Sequence, residues 1–550
     1  MQTAIQRYNE RLASLKSERS SFIDMWKDLN DNFLVWSARF LTTDRNRGDR
    51  RNTKIIDGSA TLAVRALYSG FMGGLTSPAR PWFKLRTSDP DLMKSHAVQS
   101  WLETCENRMG EMFLRSNLYS QLPQTYQNLG VFGTDAFALL EDEQDGIRCY
   151  AYPIGSYSLG TNWRGRVCAC YREFQMTAGQ IAHRFEDTAS KRVKNLAKTN
   201  PDAWVNVVHV VDHNPDHDEK RLESKNKRFV SVYYEADQLV PLAEAGFDAF
   251  PVMASRWSVT GEDIYGSGAP GWYALGDAKA LQLEQRRKTQ LIEKGNNPPM
   301  GAPSSMRNMP ASTIAGGITY FDAYQGQQGF APIYQPNPGW LNPLVEDIKE
   351  IQGRVRKFFF EDLFLMMANI DLSGVSAQEI IEKKQEKLVM LGPVLNRLND
   401  ELLDPIIDRS FHIMLKRGMV PQPPEELHGA DIAVEYTSVM HQAMKMAGLQ
   451  GVQQLAGYVT GMMGAFPNIA DRFNADASVD VMAEMLGTSP RLLNDEDTVR
   501  QIRQGREQEH AQQMQMAQAQ QAAQTAQTLS QTNTTDTNAL TQMAQYLQGA

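Results

Sequence analysis

Between residues 275 and 365, two long amphipathic stretches enclose a segment that cannot be helical, and this limits the folds open to the chain more than any other feature. Residues 298–342 hold seven Pro and six Gly, and their only charged residues are Arg307 and Asp322. Proline removes a backbone donor and clashes with the preceding turn, and glycine gives up more backbone freedom than any other residue, so helix is excluded. The same segment carries Tyr320, Phe321, Tyr324, Phe330, Tyr334 and Trp340. A long loop with so much uncharged apolar surface calls for a partner. The pattern predicts a helix, a small β-containing tip and a returning helix, with the tip buried against copies of itself. A β-hairpin insertion packed on its own chain has the same composition.

The first flanking helix opens after Ala269-Pro270-Gly271. Its apolar stripe of Leu275, Ala278, Leu281 and Ile292 is interrupted by Glu284, Arg286, Arg287, Lys288, Glu293 and Lys294, and Gly295-Asn296-Asn297-Pro298-Pro299 stops it. The second begins near Asn342-Pro343. Leu344, Ile348, Ile351, Val355 and Phe358 follow at steps of four, three, four and three, a seam of coiled-coil type.

At 550 residues with 42% hydrophobic content, the chain can bury substantial cores in two to four domains. No run of about eighteen apolar residues appears and the first twenty residues are polar, so neither a membrane span nor a secretory signal is expected. A net charge of −8 argues against tight, sequence-independent DNA binding, which depends on Lys and Arg neutralising phosphates. An acidic protein past which DNA slides remains compatible with it. Cys105, Cys149, Cys168 and Cys170 are too few for a disulfide framework, and Cys168-Ala169-Cys170 is expected on a strand with both thiols buried on one side.

Along the chain, residues 3–33 read as one charged helix with Ile5, Tyr8, Leu12, Leu15, Phe22 and Trp26 on one face, lying on a surface of the folded body. Residues 43–54 form a basic loop, 59–71 a small-residue helix, 82–85 the start of a strand and 91–117 another helix. From residue 131 the period shifts towards two, with strands expected at 137–140, 147–150, 167–171, 204–211, 229–234 and 250–257. Ser376 and Glu379 form a capping box that opens a further helix. Its leucine repeat continues to residue 417, and Pro393 and Pro405 inside it should kink it. A strand at 432–436 and a Met- and Gly-rich helix at 439–463 follow, then short helices over 470–503. Residues 511–550 hold twelve Gln and a single charge, Asp536, so this tail is disordered or forms polar helices that pack only in an oligomer. The fold class is therefore α+β, predominantly helical.

The sequence offers little chemistry. The run from Asp212 to Glu219 clusters imidazoles and carboxylates and is the best metal candidate, yet it falls between two strands, where a solvated hairpin loop is the simpler reading. No G-x-x-x-x-G-K-[ST], H-E-x-x-H or G-x-S-x-G occurs. Glu141/Asp142 and Glu361/Asp362 read as solvated pairs and His412 as a structural group near a helix C-terminus. No cofactor, metal or catalytic residue is assigned.

The order of elements resembles the portal proteins, the head-to-tail connectors of short-tailed bacteriophages. The resemblance is carried by Tyr265-Gly266-Ser267-Gly268 through Ala274-Leu275-Gly276-Asp277, by Asn297-Pro298-Pro299, by the run from Lys387 to Pro405 with the following 421–427, and by the block from Gly70 to Lys84. It extends to about Gln504; the Gln-rich tail is outside it.

The resemblance implies a ring, dodecameric in the family, at one capsid vertex around a channel for double-stranded DNA. It implies a wing over 1–267, a first stem helix over 268–297, a clip over 298–342 and a second stem helix over 343–368. A channel loop over 369–375, a kinked wing helix with a strand over 376–440, a helical crown over 441–505 and the tail over 506–550 would follow. Asn369, Asp371 and Ser373 would line the channel near DNA, because extra Lys or Arg there would add friction. Arg307, Tyr320, Phe321, Tyr324, Phe330 and Tyr334 would belong to the clip that docks the packaging motor (terminase) and then the tail adaptor proteins. Capsid or scaffolding protein is a further implied partner, and no membrane is. The ATPase belongs to the motor, in keeping with the missing phosphate loop. A minor capsid protein or head-tail adaptor that forms no channel shares this composition, and a metal-dependent nuclease using His213 and His217 is the enzymatic alternative.

Overall fold

The computed structural model describes residues 2–530 apart from 45, 47, 49–52, 90, 219, 222, 302–306, 309–311, 313–330, 333–336, 369–389, 428, 430, 465, 480–493 and 495. The chain divides into two units, Met1–Ala447 and Gly448–Ala550.

The first unit opens with α1 (Gln2–Phe33), whose single apolar face serves two cores. Ile5, Leu12 and Leu15 pack on a sheet, while Trp26, Leu29 and Phe33 enter the main core, so the helix is built into the body rather than laid on it. The small residues of α2 (Ser59–Gly74) let neighbours approach: a Cβ on Gly70 would lie 2.0 Å from the ring of Phe364. β1 (Phe83–Thr87) alternates buried and half-buried residues, and α3 (His96–Arg115) turns Trp101, Met109 and Phe113 inward. Between the helix expected to end at residue 117 and the strands expected from 131, a stretch with no assignment from the sequence forms α4 (Leu118–Phe132), helical around Pro123. Leu118, Leu122, Tyr126 and Leu129 supply its buried face, and the surrounding core outweighs the proline.

Two antiparallel sheets follow. β2 (Phe137–Asp142) sits between β3 (Gly146–Ala151) and the short β9 (Val252–Met253). β4 (Tyr157–Thr161), β5 (Val167–Thr177), β6 (Trp204–His213), β7 (Phe229–Glu235) and β8 (Val240–Phe247) make a meander in sequence order. The expected strand over 250–257 is thus mostly irregular, reduced to β9 and a bridge between Thr134 and Arg256, whereas β8 had no counterpart in the sequence reading. Two short helices, α5 (Ala178–Arg184) and α6 (Lys191–Thr199), also went unread. Thr177 and Gln180 form a capping box on the first, and both pack on one face of the sheet. Cys170 is buried on β5 but Cys168 is only half-buried, since it lies nearer the end of the strand.

Two long helices follow, α7 (Pro270–Asn296) and α8 (Leu341–Phe358). β10 (Met300–Gly301) pairs antiparallel with β11 (Ala331–Pro332). The helix expected over 343–368 is interrupted: α8 ends at Phe358, Phe360 takes a left-handed φ of 55°, and α9 (Glu361–Ala368) starts afresh. Phe359 and Leu363 are both buried, so packing across the break holds that turn.

Helix resumes as α10 over 390–398. A π-helical turn, Asn399–Leu403, joins it to α11 (Asp404–Lys416). Pro393 lies inside α10, while Pro405 comes just after the wide turn; having no N–H and a ring that would meet the carbonyl four residues back in an α-helix, it favours that wider turn. Between the two prolines lies this single wide turn. β12 (Ile432–Tyr436) pairs antiparallel with β1 in the register Phe83↔Tyr436, which returns the C-terminal half of the unit to its N-terminal part. α12 (Val439–Met463) begins in the first unit and continues into the second.

The second unit contains the rest of α12, a 3-10 turn at Pro467–Arg472, a short helix α13 over 475–479 and α14 (Glu496–Ser530). The Gln-rich segment is helical as far as Ser530, continuous with the charged stretch before it. Arg503 of α14 pairs with Asp476 at 2.6 Å.

Candidate functional site

The sequence pattern and the geometry agree most closely at α7 and α8. α7 and α8 run antiparallel: the ring of Tyr273 near the start of α7 stacks on Phe358 at the end of α8, with centroids 6.4 Å apart. Further along, Arg354 makes two bonds of 3.1 and 3.0 Å to the Asp277 carboxylate. Leu275, Ala278 and Leu281 bury against the body together with Ile348, Ile351 and Val355. The seam read from the sequence is thus the buried one, except at its ends, where Phe358 and Ile292 are exposed.

Asp57 fixes both α7 and α8 to the segment that follows the basic loop. Its carboxylate accepts from Ser59 N at 2.8 Å, Gln285 Nε2 at 2.7 Å and Gln352 Nε2 at 2.8 Å. Gln282 Oε1 accepts from the backbone of Ile56 and Asp57 at 2.6 and 2.8 Å. Burial pushes the Asp57 pKa up, but the bonds from Ser59, Gln352 and Gln285 outweigh it and hold the carboxyl below its ordinary 3.8. No sequence motif announces this node, because its members lie more than 200 residues apart.

The block Tyr265-Gly266-Ser267-Gly268 lies against the end of α4. A Cβ on Gly266 would stand 2.2 Å from the carbonyl oxygen of Gly133, and the N–H of Gly266 donates to Thr134 Oγ1 at 2.6 Å. Two backbones touching in this way need glycine. Beside them, Arg256 is 5% exposed and grips Glu401 through Nε and Nη2 at 3.1 and 2.6 Å, and Glu401 also accepts from the backbone N–H of Arg256 at 2.9 Å.

Of the residues singled out from the sequence, Arg307 is exposed in a short turn beyond β10. Tyr320, Phe321, Tyr324, Phe330 and Tyr334 lie outside the described residues, as do Asn369, Asp371 and Ser373. Among the described residues no group of three or more His, Cys, Asp or Glu could hold a metal ion, and the run after Asp212 is the β6–β7 connection. Asp212 itself accepts from Tyr171 at 2.7 Å and pairs with Arg11 at 2.9 Å, a buried anchor for α1. Glu141 is not simply solvated, since Arg417 and Lys416 hold it at 2.8 and 3.4 Å. His412 Nδ1 contacts the carbonyl of Asp408 at 2.7 Å, a local helix bond. Among the described residues no helix is long and apolar enough to cross a membrane.

The arrangement is a helix pair on a mixed α/β body, with a short β pairing between the two helices in sequence. A family model for bacteriophage head to tail connecting protein matches residues 5–493. The chain is 46% identical over 505 residues to the portal protein of Salmonella phage epsilon15, covering 91% of each, and 38% identical over 487 residues to the probable portal protein of Bordetella phage BPP-1, covering 88% of this chain and 87% of that one. The chain belongs to this head-to-tail connecting family, the portal proteins, and its work is portal function in DNA packaging.

Proposed function

We propose that the chain assembles into a closed ring of twelve copies at one capsid vertex and forms the conduit for double-stranded DNA during packaging and ejection. The observation that carries this reading is the stem. Away from the buried root of α7, the helix leaves Leu283 46% and Ile292 42% exposed, and Tyr273 and Trp340 are 66% and 69% exposed. Apolar side chains left exposed on and beside this helix pair suit contact with neighbouring copies, and a closed ring satisfies a repeated head-to-tail interface. Residues 1–267 and 376–440 form the wing, 268–297 and 343–368 the stem, 298–342 the clip, 441–505 the crown and 506–550 a tail beyond it. The ring docks terminase through the clip and later exchanges it for tail adaptors, meets capsid or scaffolding protein through the wing, and carries no enzymatic activity of its own. It forms in the host cytoplasm and remains at the head–tail junction of the virion.

Electron microscopy of the purified protein, with its native mass, tests the ring. A closed ring with a central hole and a mass of twelve chains is expected, and a monodisperse monomer at assembly concentrations would refute it. Asp371→Lys tests the channel loop at 369–375: reduced packaging or retention of DNA is expected, and wild-type amounts of packaged DNA would exclude this loop from the channel wall. Deleting 307–330 should abolish motor docking, and normal docking by an assembled ring would overturn the clip assignment.

A further inference from the structure

The π-helical turn Asn399–Leu403 shifts the buried stripe of its helix by one residue. Leu391, Leu395, Leu398 and Leu402 are buried on its entry side, and Leu403, Ile407, Ser410 and Met414 continue the stripe on its exit side, one position out of step. The backbone N–H of Asp404 reaches back to the carbonyl of Asn399, the five-residue bond that marks the wide turn. Such turns amount to one extra residue in an α-helix and occur often at functional sites.

Three elements that are distant in sequence hold the turn by its polar side chains. Asn399 Nδ2 meets His441 Nε2 at 3.0 Å, and the other ring nitrogen of His441 meets Ser438 Oγ at 2.7 Å, at the start of α12. Glu401 is held by the buried Arg256, from the segment after β9, and by Arg397 at 3.2 Å. Asp404, the first residue after the turn, accepts from the Tyr436 hydroxyl on β12, and the ring of Tyr436 stacks on His441 with centroids 4.8 Å apart. Asn399 Oδ1 is buried without a partner. An uncompensated buried acceptor lowers the cost of leaving this arrangement.

We propose that Asn399–Leu403 is a register switch, which passes between π and α form and couples α10 to the start of α12 and to the segment around Arg256. Moving one residue out of the wide turn rotates α10 against α11 by about 100° and shifts it by about 1.5 Å. Such a step is discrete because the core offers two packings of the stripe, Leu402 or Leu403 with Ile406 or Ile407, all four of which are buried. α10 directly follows 369–389, and α12 leads on into the second unit, so the switch lies on the covalent path between them. All its holds lie within one subunit, so it stands independently of the ring.

Hydrogen exchange read by mass spectrometry on the full-length protein tests this, with His441→Ala, His441→Gln and Glu401→Gln compared with wild type. Coupling is reciprocal. His441→Ala should therefore raise exchange about tenfold not only over 391–404 but also over 254–266, which His441 does not hold. Glu401→Gln should likewise raise it over 439–446. His441→Gln, which can still bond to Asn399, should stay within about twofold of wild type, and the strand over 137–142 should be unchanged in all three. A rise confined to each variant's own contacts would overturn the switch, as would a uniform rise that includes 137–142. Should His441→Ala fail to fold, Glu401→Gln and its effect at 439–446 decide the matter alone. A portal that forms no closed ring yet shows the reciprocal response would refute the ring and leave the switch standing.

Discussion

Asp135 sits at the junction of α4 and β2 with no exposure, and its carboxyl is a sensitive probe of the main core. Burial pushes its pKa up from 3.8 to about 7, and the Asn128 amide, which donates to Oδ1 at 2.8 Å, offsets this only in part. Thr125 and the backbone N–H of Ala136 also favour the charged form, and together with Asn128 they still fall short of the burial cost. Because the folded-state pKa is raised, the folded protein binds this proton more tightly than the unfolded chain. The stability it confers is fully present below pH ~4 and is lost as pH rises through ~7. A rise of about three units, at about 1.4 kcal/mol each, corresponds to about 4 kcal/mol over that window. Asp135→Asn keeps the shape and the bond from Asn128 but cannot ionise. Denaturant unfolding of both proteins, followed by tryptophan fluorescence from pH 4.5 to 8, isolates the group as a difference. The stability of wild type relative to the variant should fall by about 1.4 kcal/mol per pH unit up to pH ~7 and then level off. A difference that stays flat across this range would show that the carboxyl ionises normally in the folded state and would refute the burial argument.

Two further substitutions probe the site. Gly266→Ala should destabilise the first unit by ~3 kcal/mol or more, because its methyl group meets a backbone carbonyl rather than a flexible side chain; a shift in unfolding midpoint below the equivalent of ~1 kcal/mol would contradict this close approach. Asp57→Ala should cost ~1–3 kcal/mol by stranding the donors of Gln285 and Gln352, and should make 55–58 susceptible to proteolysis. Since the Asp57 pKa is held below 3.8, its contribution is present above that pH and is lost on acidification, so wild type should approach the variant as pH falls below ~4.

The sequence by itself determined the elements whose signal is local. The stripes of α1, α7 and α8, the stop at Asn297-Pro298-Pro299 and the limits of β12 and α12 follow from periodicity and from proline and glycine chemistry, which act within a few residues. It also determined the family, through blocks whose glycines proved to be close approaches: Gly70 beneath Phe364 and Gly266 against Gly133. Tertiary structure decided the rest. α4 is helical despite Pro123 because its buried face outweighs the proline, and the helix after residue 341 breaks at Phe360, where Phe359 and Leu363 are both buried. The wide turn between Pro393 and Pro405 is held by His441, Arg256 and Tyr436, and Asp57 gathers donors from two distant helices. Local propensity can start or stop a helix within a turn or two. Only long-range packing sets which helix register is kept and which polar groups, hundreds of residues apart, come to share one carboxylate.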